Sequence, residues 1–562
     1  MRRSTAFALA AIVLASVAVR LWPLLGNLYW GSDIGEYYAL LRSLDARGAI
    51  PTAYAGWGIT YPYFPGMFFA QASVVALGGA ELTAVLDLLV PVLGALAVLP
   101  VFLIAADVSR DDRGALFAAA LVAGAMPHAY ATSHTAPSTL GDLLVFATLA
   151  LFLRLRKEPA ALAALVPLSA ALVVTHHLAA YFLLITVLAA TILRSLVRPI
   201  VWTDGLRREL SFEAFLLAAI FGFWFGYAVP FRDNLLHAVS VEPWWAPLAA
   251  FPLVLALLVI VVVLRRGRPW RYRPRVSGAG LAAAMYGAAV AFEFATAGFA
   301  AVVSIPGTGV AVSPLTIALF APLLLLVAFA AAGRRDADLL RRGLDVSAWF
   351  LALAASTFLG TAVATQVLIP YRHIEYLVVP LAILAGIGLT RLVALAAAGR
   401  AQKGLAFAAV AVLLAGTFAT AIPPPAVLAG WDEGTQAASL DGAYWARDHV
   451  TGLVAADHRA STILFGFAGV NATWDTTASP FFAADFAGAR PGLVRLETPS
   501  GTFDVSYVWI DRDLAAGVQL KPWDPALPMP AASLEKFSSE PFVKVYDDGF
   551  AQMYWIDWGL AP

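Results

Sequence analysis

The feature that most constrains this chain is a series of long apolar segments that recurs from its first residues to about residue 422. An α-helix needs about 20 mostly apolar residues to cross the ~30 Å hydrocarbon core of a bilayer. The segments lie at about 5–25, 84–106, 114–131, 138–153, 159–175, 178–193, 213–229, 246–264, 279–303, 314–332, 346–369, 375–396 and 404–422. The sequence therefore predicts an α-helical polytopic membrane protein with about 13 transmembrane helices.

The side-chain composition supports the same class. Hydrophobic residues make up 60% of the chain and charged residues only 13%, whereas soluble domains carry about 25% charged residues. Lys and Arg balance Asp and Glu at 37 each, which argues against a nucleic-acid binder recruited by net charge. Because there is no cysteine, disulfides, thiolate catalysis and Cys-ligated metal sites are excluded. Any chemistry must come from His, carboxylate, Arg, Tyr or hydroxyl side chains.

Basic residues in the connecting loops predict the orientation. If the N-terminus lies in the cytoplasm, 24 Lys and Arg residues fall in the inner loops and four in the outer loops. Those four are Arg42, Arg47, Arg232 and Arg372. This asymmetry follows the positive-inside rule, and it places the region after residue 425 outside the cytoplasm. All eight histidines then fall on or near the outer face, either because chemistry is located there or because basic inner loops favour Arg over His.

A change in composition at about residue 426 predicts a second domain. Polar and aromatic residues alternate from there to the end, and a helix is predicted at about 433–449. Short β-type runs lie at Leu453–Ala456, Thr462–Phe465, Tyr507–Ile510, Val543–Tyr546 and Met553–Ile556. We therefore expect a transmembrane domain at 1–425, with a first outer loop at 26–83, and a small α/β domain at 426–562 on the outer face.

The first outer loop contains an acidic pair, Asp33 and Glu36, in the stretch Gly-Ser-Asp-Ile-Gly-Glu-Tyr-Tyr. Long ordered loops in compact proteins are usually functional. On a helix the two carboxylates share one face, where they can accept a proton, bind a divalent metal or do both. The alternative is structural, with Asp33 as a helix N-cap and Glu36 at the third helical position, as in a capping box. Spacing alone does not decide between these interpretations.

The order of motifs in this loop resembles that of the GT-C glycosyltransferases. The resemblance covers about 40 positions: a first span, then Asp33-x-x-Glu36-Tyr37-Tyr38 and Arg42, then Tyr61-Pro-Tyr-Phe-Pro65-Gly66. That superfamily includes protein O-mannosyltransferases, aminoarabinose transferases of lipid A and the catalytic subunit of oligosaccharyltransferase. Its members combine many spans with an outer soluble domain, as expected here. The resemblance implies that Asp33, with Glu36 as its companion, activates the acceptor or helps to hold a metal.

One departure from the oligosaccharyltransferase pattern concerns the tail. It lacks a Trp-Trp-Asp-Tyr-Gly motif, and Gly430-Trp-Asp-Glu-Gly434 is a poor substitute. The acceptor is therefore left open between a protein, a lipid and a glycan.

Histidines near the outer face are candidate metal ligands beside the acidic pair. His134 joins the third and fourth predicted spans, and His176 and His177 join the fifth and sixth. Together with Asp33 and Glu36 they offer the carboxylate and imidazole ligands suited to a divalent metal such as Mn²⁺, Mg²⁺ or Zn²⁺. An interfacial hydrogen-bonding role is the alternative for each single histidine.

Two basic clusters on the outer side are candidates for binding a donor phosphate. They comprise Arg232 and the run Tyr371, Arg372 and His373. A guanidinium binds phosphate through paired hydrogen bonds, although an arginine at a helix end can also merely extend its charge to the membrane surface.

Taken together, these features predict an inverting glycosyltransferase at the outer face of the cell membrane. A sugar leaves a polyprenyl-phosphate carrier and joins an unassigned acceptor, with Asp33 as general base and Arg372 stabilising the leaving phosphate. No nucleic acid is expected as a partner. The alternative from another class is a transporter or flippase of lipid-linked sugars, and a third hypothesis is an assembly scaffold for which Asp33 is dispensable.

Overall fold

A computed structural model describes most of the chain. The described residues are 2–197, 201–237, 326, 343–363, 368–369, 372–395, 400–425, 428, 430–498, 501–521 and 526–561. The predicted spans at about 246–264 and 279–303 lie outside these residues, as does the span at 314–332 apart from Leu326.

Helices dominate the described part of the chain before residue 420. They are α1 (Arg3–Leu21), α2 (Ile34–Arg47), α3 (Gly66–Gly78), α4 (Leu82–Ala95), α5 (Val98–Ser109), α6 (Asp112–Gly124), α7 (Met126–Ala131), α8 (Pro137–Phe152), α9 (Ala161–Thr175), α10 (His177–Val197), α11 (Asp204–Gly226), α12 (Val229–His237), α13 (Leu344–Val363), α14 (Arg372–Leu395) and α15 (Arg400–Ala419).

Several of these helical segments have the length and composition of membrane spans. Within the described ranges, five segments are long and apolar enough: Arg3–Leu25, Leu82–Ser109, His177–Ser195, Asp204–Gly226 and Arg372–Thr390. Shorter apolar helices occur at Gly66–Gly78, Pro137–Phe152, Ala161–Thr175, Leu344–Gly360 and Val410–Ala419. The mostly helical membrane architecture is confirmed, whereas the count of about 13 spans stays a prediction.

The predicted span at 114–131 is two helices, not one. Helix α6 ends at Gly124 and α7 begins at Met126, with extended backbone at Ala125 (φ −65°, ψ 118°). Pro127 explains the break, because a proline cannot donate the backbone hydrogen bond that a continuing helix needs but is well tolerated in a first helical turn. The break brings the α7–α8 connection close to the first loop.

Large apolar side chains point outward from the helices. Phe7, Leu14, Phe358 and Phe407 are each at least 70% exposed. Exposed apolar surface of this kind is unfavourable in water and marks an interaction or membrane surface. On helices of this composition, we interpret it as the surface that faces lipid.

The region after residue 430 contains a small mixed sheet and further helices. Its strands and their first-loop partner are β1 (Tyr29–Trp30), β2 (Gly434–Thr435), β3 (Leu453–Ala455), β4 (Leu496–Thr498), β5 (Gly501–Phe503), β6 (Val505–Asp511), β7 (Phe542–Asp547) and β8 (Ala551–Ile556). Its helices are α16 (Ala437–His449), α17 (His458–Ile463), α18 (Ser479–Phe482), α19 (Phe486–Ala489) and α20 (Ala531–Glu535). The sheet has the strand order β3-β6-β8-β7, with β3 parallel to β6 and the other neighbours antiparallel.

Four of the five predicted strands and the predicted helix are confirmed, but the strand predicted at Thr462–Phe465 is wrong. That stretch belongs to α17 and to the π-helical turn Leu464–Ala468 that follows it. The Asp457 carboxylate starts α17 by accepting a hydrogen bond from the Ala460 backbone N–H at 2.9 Å. Packing against α2 then overrides the weak β preference of the sequence.

The first loop and the region after residue 430 are joined by backbone pairing. Strands β1 and β2 are antiparallel, with Tyr29 opposite Thr435 and Trp30 opposite Gly434. The Ser32 backbone N–H also donates to the Glu433 carboxylate at 2.5 Å. The start of the first loop is therefore fixed against residues about 400 positions later in the sequence.

Candidate functional site

Asp33 lies where the first loop meets α17. Its Oδ1 is 2.8 Å from Nε2 of His458. Its Oδ2 accepts hydrogen bonds from the Tyr61 hydroxyl at 3.1 Å and the Tyr37 hydroxyl at 3.3 Å. The Asp33 side chain is nevertheless 22% exposed, whereas His458 is fully buried. A small group in solution therefore has access to the carboxylate but not to the imidazole.

The structural alternative for the acidic pair, a capping box, is wrong. Asp33 occupies the N-cap position of α2, but its side chain makes no capping hydrogen bond. The Glu36 side chain does not reach back to the helix start either, because it bonds to the Tyr54 hydroxyl and the Gly58 backbone N–H. Both carboxylates therefore face the rest of the first loop and α17.

Glycine at position 35 allows α2 to approach α17 closely. A Cβ on Gly35 would overlap the backbone carbonyl of Thr462, and a Cβ on Gly466 would overlap the backbone of Gly35. With no side chain at these positions, the Glu36 backbone N–H donates to the Thr462 hydroxyl at 3.0 Å. The glycine between the two acidic residues is what allows His458 to reach Asp33.

Glu36 is fully buried and organises the loop above the site. Its Oε1 accepts from the Tyr54 hydroxyl at 3.0 Å and from the Gly58 N–H at 3.0 Å, and Oε2 lies 3.1 Å from the same N–H. These bonds hold the 54–58 segment, and the Trp57 ring in that segment stands edge-on to the His458 imidazole, 4.9 Å between centroids.

The two carboxyl groups differ in their proton affinity. Burial opposes ionisation of Asp33, but the hydrogen bond and positive charge of His458 and the two tyrosine hydroxyls outweigh it and lower the pKa of Asp33. Burial and the nearby charge of Asp33 raise the pKa of Glu36 to about 7. Burial also opposes protonation of His458, yet its bond to Asp33 raises the pKa of the imidazole. Near neutral pH, Asp33 is the ionised carboxylate of the pair.

His458 is the site residue whose role the sequence did not reveal. It stood out only as one of eight histidines, and nothing near Ala-Asp-His-Arg at 456–459 resembles the first-loop motif. Its place is fixed by the cap at Asp457 and by its own backbone N–H, which donates to the Gln519 carbonyl at 2.6 Å. The signal that does exist is a polar Asp-His-Arg step directly after a buried apolar strand.

The five predicted metal ligands do not come together as a metal site. All four carboxylate oxygens of Asp33 and Glu36 are already engaged by protein donors. Among the residues that the structure describes, no group of three or more His, Cys, Asp or Glu side chains could hold a metal ion. The donor set as arranged therefore does not fit a divalent metal, and the prediction of a centre built from these five residues is wrong.

The predicted histidine ligands have other contacts. His134 lies beside Gly31, with 3.4 Å between its Cβ and a Cβ built on that glycine. His176 accepts a hydrogen bond from the Ala179 backbone N–H at its Nδ1, 3.2 Å away. The His177 ring packs on Phe231 at 4.5 Å between centroids. His176 thus caps the start of α10, and His177 belongs to an aromatic cluster.

The predicted phosphate-binding residues are only partly brought to the site. Arg372 begins α14 and its Nη1 is 3.9 Å from a Glu375 oxygen. Burial and the charge of Asp33 raise the pKa of Tyr37, and the positive charge of Arg372 opposes that rise. The guanidinium is therefore close enough to act electrostatically on a side chain that contacts Asp33.

The remaining members of that set differ from one another. His373 is buried, with its Nε2 2.8 Å from the Ser356 hydroxyl. Arg232 pairs with the adjacent Asp233, 2.8 Å from Nη2 to Oδ1. Tyr371 lies outside the described residues.

Comparison with solved structures identifies the fold. The archaeal oligosaccharyltransferase AglB from Archaeoglobus fulgidus, in complex with an inhibitory peptide and a dolichol-phosphate, has a TM-score of 0.58 at 15% identity over 91% of this chain and 69% of its own. A structure of the Archaeoglobus fulgidus oligosaccharyltransferase with Zn and sulfate gives 0.57 at 15% identity over 90% and 68%. ArnT from Cupriavidus metallidurans, bound to undecaprenyl phosphate, gives 0.50 at 14% identity over 99% and 98%.

No protein-family model matches the sequence, and no curated protein matches it. The likeness is one of architecture, since the identities are too low to carry residue roles from one protein to another. It nevertheless extends over nine tenths or more of the chain, from α1 to the last strands. The architecture expected from the first-loop motifs is therefore confirmed: the chain has the GT-C glycosyltransferase fold.

Proposed function

We propose that the protein is a glycosyltransferase that moves a sugar from a polyprenyl-phosphate-linked donor to an acceptor hydroxyl at the outer face of the membrane. The observation that carries the proposal is Asp33, a carboxylate with a lowered pKa, held by three hydrogen-bond donors yet 22% exposed. Two structures with the same fold contain dolichol-phosphate or undecaprenyl phosphate, which supports a lipid-linked donor.

In the proposed reaction Asp33 is the general base. It takes the proton from the acceptor hydroxyl as the oxygen attacks the anomeric carbon of the sugar. The bond between that carbon and the phosphate oxygen breaks, and the polyprenyl phosphate leaves with the bonding electron pair. Attack opposite the leaving group inverts the anomeric centre. A proton then leaves Asp33 through its exposed side, which completes the cycle.

Arg372 is the proposed phosphate-binding residue, with Arg232, Tyr371 and His373 as its companions. The leaving phosphate gains negative charge in the transition state, so a fixed guanidinium near the bilayer edge stabilises that state more than the ground state. Glu36 is the positioning companion of Asp33, because it ties the 54–58 segment to α2.

The proposal places the N-terminus in the cytoplasm and the region after residue 425 outside. The asymmetry of basic residues in the loops supports this orientation. A reporter that is active only outside the cytoplasm, fused after residue 426, should be active, and the same reporter fused at residue 269 should be silent. The reverse pattern would contradict the location of the reaction.

A transfer assay with purified protein tests the function. Short-chain polyprenyl-phosphate sugars are incubated with the enzyme and with a panel of hydroxyl-bearing peptides, glycans and lipids, and nucleotide sugars serve as the control donors. We expect a glycosylated product from the lipid-linked donor alone. A flippase would instead move a labelled donor across proteoliposomes without forming a product, and that result would reject glycosyl transfer.

A further inference from the structure

We propose that His458, supplied by the region after residue 430, is a positioning residue for Asp33, so that the catalytic carboxylate is complete only when the first loop and α17 are in contact. The inference rests on the proposed function, since it assigns a role within that reaction. It gives the outer α/β region a direct part in catalysis.

The geometry indicates that His458 acts through Asp33 and not on the substrate. The Nε2–Oδ1 distance is 2.8 Å, between residues 425 positions apart. The imidazole is fully buried, whereas the carboxylate is partly open to solvent. An acceptor can therefore touch Asp33 directly but can respond to His458 only through that carboxylate.

The imidazole is held in one orientation by a cage of indole rings. Trp57 lies 4.9 Å away, Trp474 5.9 Å and Trp431 6.3 Å, measured between ring centroids. Trp474 adopts the left-handed backbone conformation, with φ of 55°, which is rare for a bulky residue and persists only where the surroundings enforce it. Trp57 comes from the first loop and the other two from the region after residue 430, so the cage is complete only at their junction.

The hydrogen bonding of the ring is devoted to Asp33. The other ring nitrogen, Nδ1, is buried and has no hydrogen-bond partner among the described residues. A carboxylate accepts about four hydrogen bonds, and Asp33 already receives three, two of them on Oδ2. The bond from His458 thus sets the rotation of the carboxylate and leaves one acceptor direction on Oδ1 for the proton of the acceptor hydroxyl.

The charge of His458 has a second effect on the same carboxylate. The titratable groups around the pair are Glu36, Tyr37 and Tyr61 from the first loop and Asp475 from beyond α17. Each of these groups is either neutral or negative, so His458 is the cation among them. Without it, Asp33 would lose the partner that keeps a largely buried carboxyl group ionised.

The test compares His458→Gln with His449→Gln, a change at an exposed histidine of α16 whose Nδ1 bonds only to the nearby Trp445 carbonyl among the described contacts. We expect His458→Gln to lower kcat about 10- to 100-fold, the usual cost of removing a residue that orients a reacting group. The KM for the lipid-linked donor should change less than about twofold. The acid limb of the pH–rate profile should move to higher pH, because Asp33 loses the interaction that lowers its pKa. His449→Gln should match the wild type in all three measurements.

Three results would overturn the proposal. Rates of His458→Gln within about twofold of the wild type would show that the contact is dispensable. A lower rate with an unmoved acid limb would reduce His458 to a structural role, and complete loss of transfer with an unchanged melting temperature would make it a direct participant. If the wild-type protein itself forms no product from any lipid-linked donor, the proposed function fails first, and this outcome is visible before any variant is measured.

Discussion

Two regions of the molecule place an acidic side chain beside a histidine, and they differ in what can reach them. At the junction of the first loop with α17, Asp33 contacts His458 and remains 22% exposed. Within the membrane helices, Asp142 of α8 lies 3.2 Å from Nδ1 of His128 in α7, and neither side chain is more than 1% exposed. The same pair of residue types therefore has an open carboxylate in one region and a closed one in the other.

The closed region looks like a structural device. Arg20 of α1 is fully buried beside it and donates to the Thr132 hydroxyl at 2.8 Å, the Ser16 hydroxyl at 2.7 Å and the Ala123 carbonyl at 3.1 Å. Ionisable groups inside a bilayer cost several kcal/mol unless they are paired. These contacts link α1 to α6 and to the α7–α8 connection, so they fix helix positions. The comparison teaches that burial and pairing alone do not indicate a reactive carboxylate, whereas pairing combined with access does.

The largest difference between the two regions should appear on removing each carboxylate charge. Asp33→Asn keeps the size of the side chain but cannot accept the acceptor proton, so we expect transfer to fall at least about 100-fold with a nearly unchanged melting temperature. Asp142→Asn should lower the melting temperature and change the rate per folded molecule by only a few-fold. Transfer rates and thermal unfolding of both variants in the same detergent check this. Normal transfer by Asp33→Asn would remove the distinction between the regions.

A second test separates the two halves of the open site without touching its polar groups. Gly35→Ala adds a methyl group that would overlap the Thr462 carbonyl, and forced displacement of packed elements costs about 1–3 kcal/mol or more. We expect the Asp33–His458 contact to lengthen and transfer to fall about 10-fold or more. Gly78→Ala, at the end of α3 where a Cβ meets nothing within 4 Å, is the matched control. Equal activity in the two alanine variants would contradict the close approach of α2 to α17.

Arg372 tests whether the open site extends to the membrane edge. A guanidinium offers paired hydrogen bonds to phosphate that an ammonium cannot reproduce, so Arg372→Lys should lower transfer about 10-fold and Arg372→Ala further. Arg42→Lys, at an exposed position of α2, should have no effect. The rates are measured with a short-chain lipid-phosphate sugar. Full activity in Arg372→Lys would show that the residue only extends a charge to the interface.

The smallest effect concerns Glu36 and depends on pH. Because its pKa is raised to about 7 in the folded protein, the folded state binds more protons than the unfolded state between about pH 4.5 and 7, and stability contributed at this position falls as pH rises through that window. Glu36→Gln removes this dependence. Its melting temperature should rise relative to wild type by on the order of 2 °C between pH 5 and 8, while transfer falls less than about tenfold. A melting-temperature difference that stays constant with pH would contradict a raised pKa.

Much of the architecture could be predicted from the sequence because it follows from local patterns. Apolar length predicts helices such as α10 and α14, and alternation with turn residues predicts β6, β7 and β8. The failures are also local in origin. The β-branched and aromatic residues of Thr462–Phe465 favour a strand, but a cap at Asp457 and contact with α2 make the stretch helical. Pro127 divides a predicted span, an effect that composition averages out.

The sequence by itself determined that the chain is a helical membrane protein with a small outer-type α/β region, and it singled out Asp33 and Glu36. Only the tertiary structure decided what those carboxylates face. Spacing left a capping box and a reactive pair equally possible, and both depend on which groups lie nearby. A partner 425 residues away leaves no trace in local periodicity, because it is brought in by backbone contact at Gly35 and Gly466 and by the pairing of β1 with β2. The same contacts place protein donors on every carboxylate oxygen where a metal had been expected.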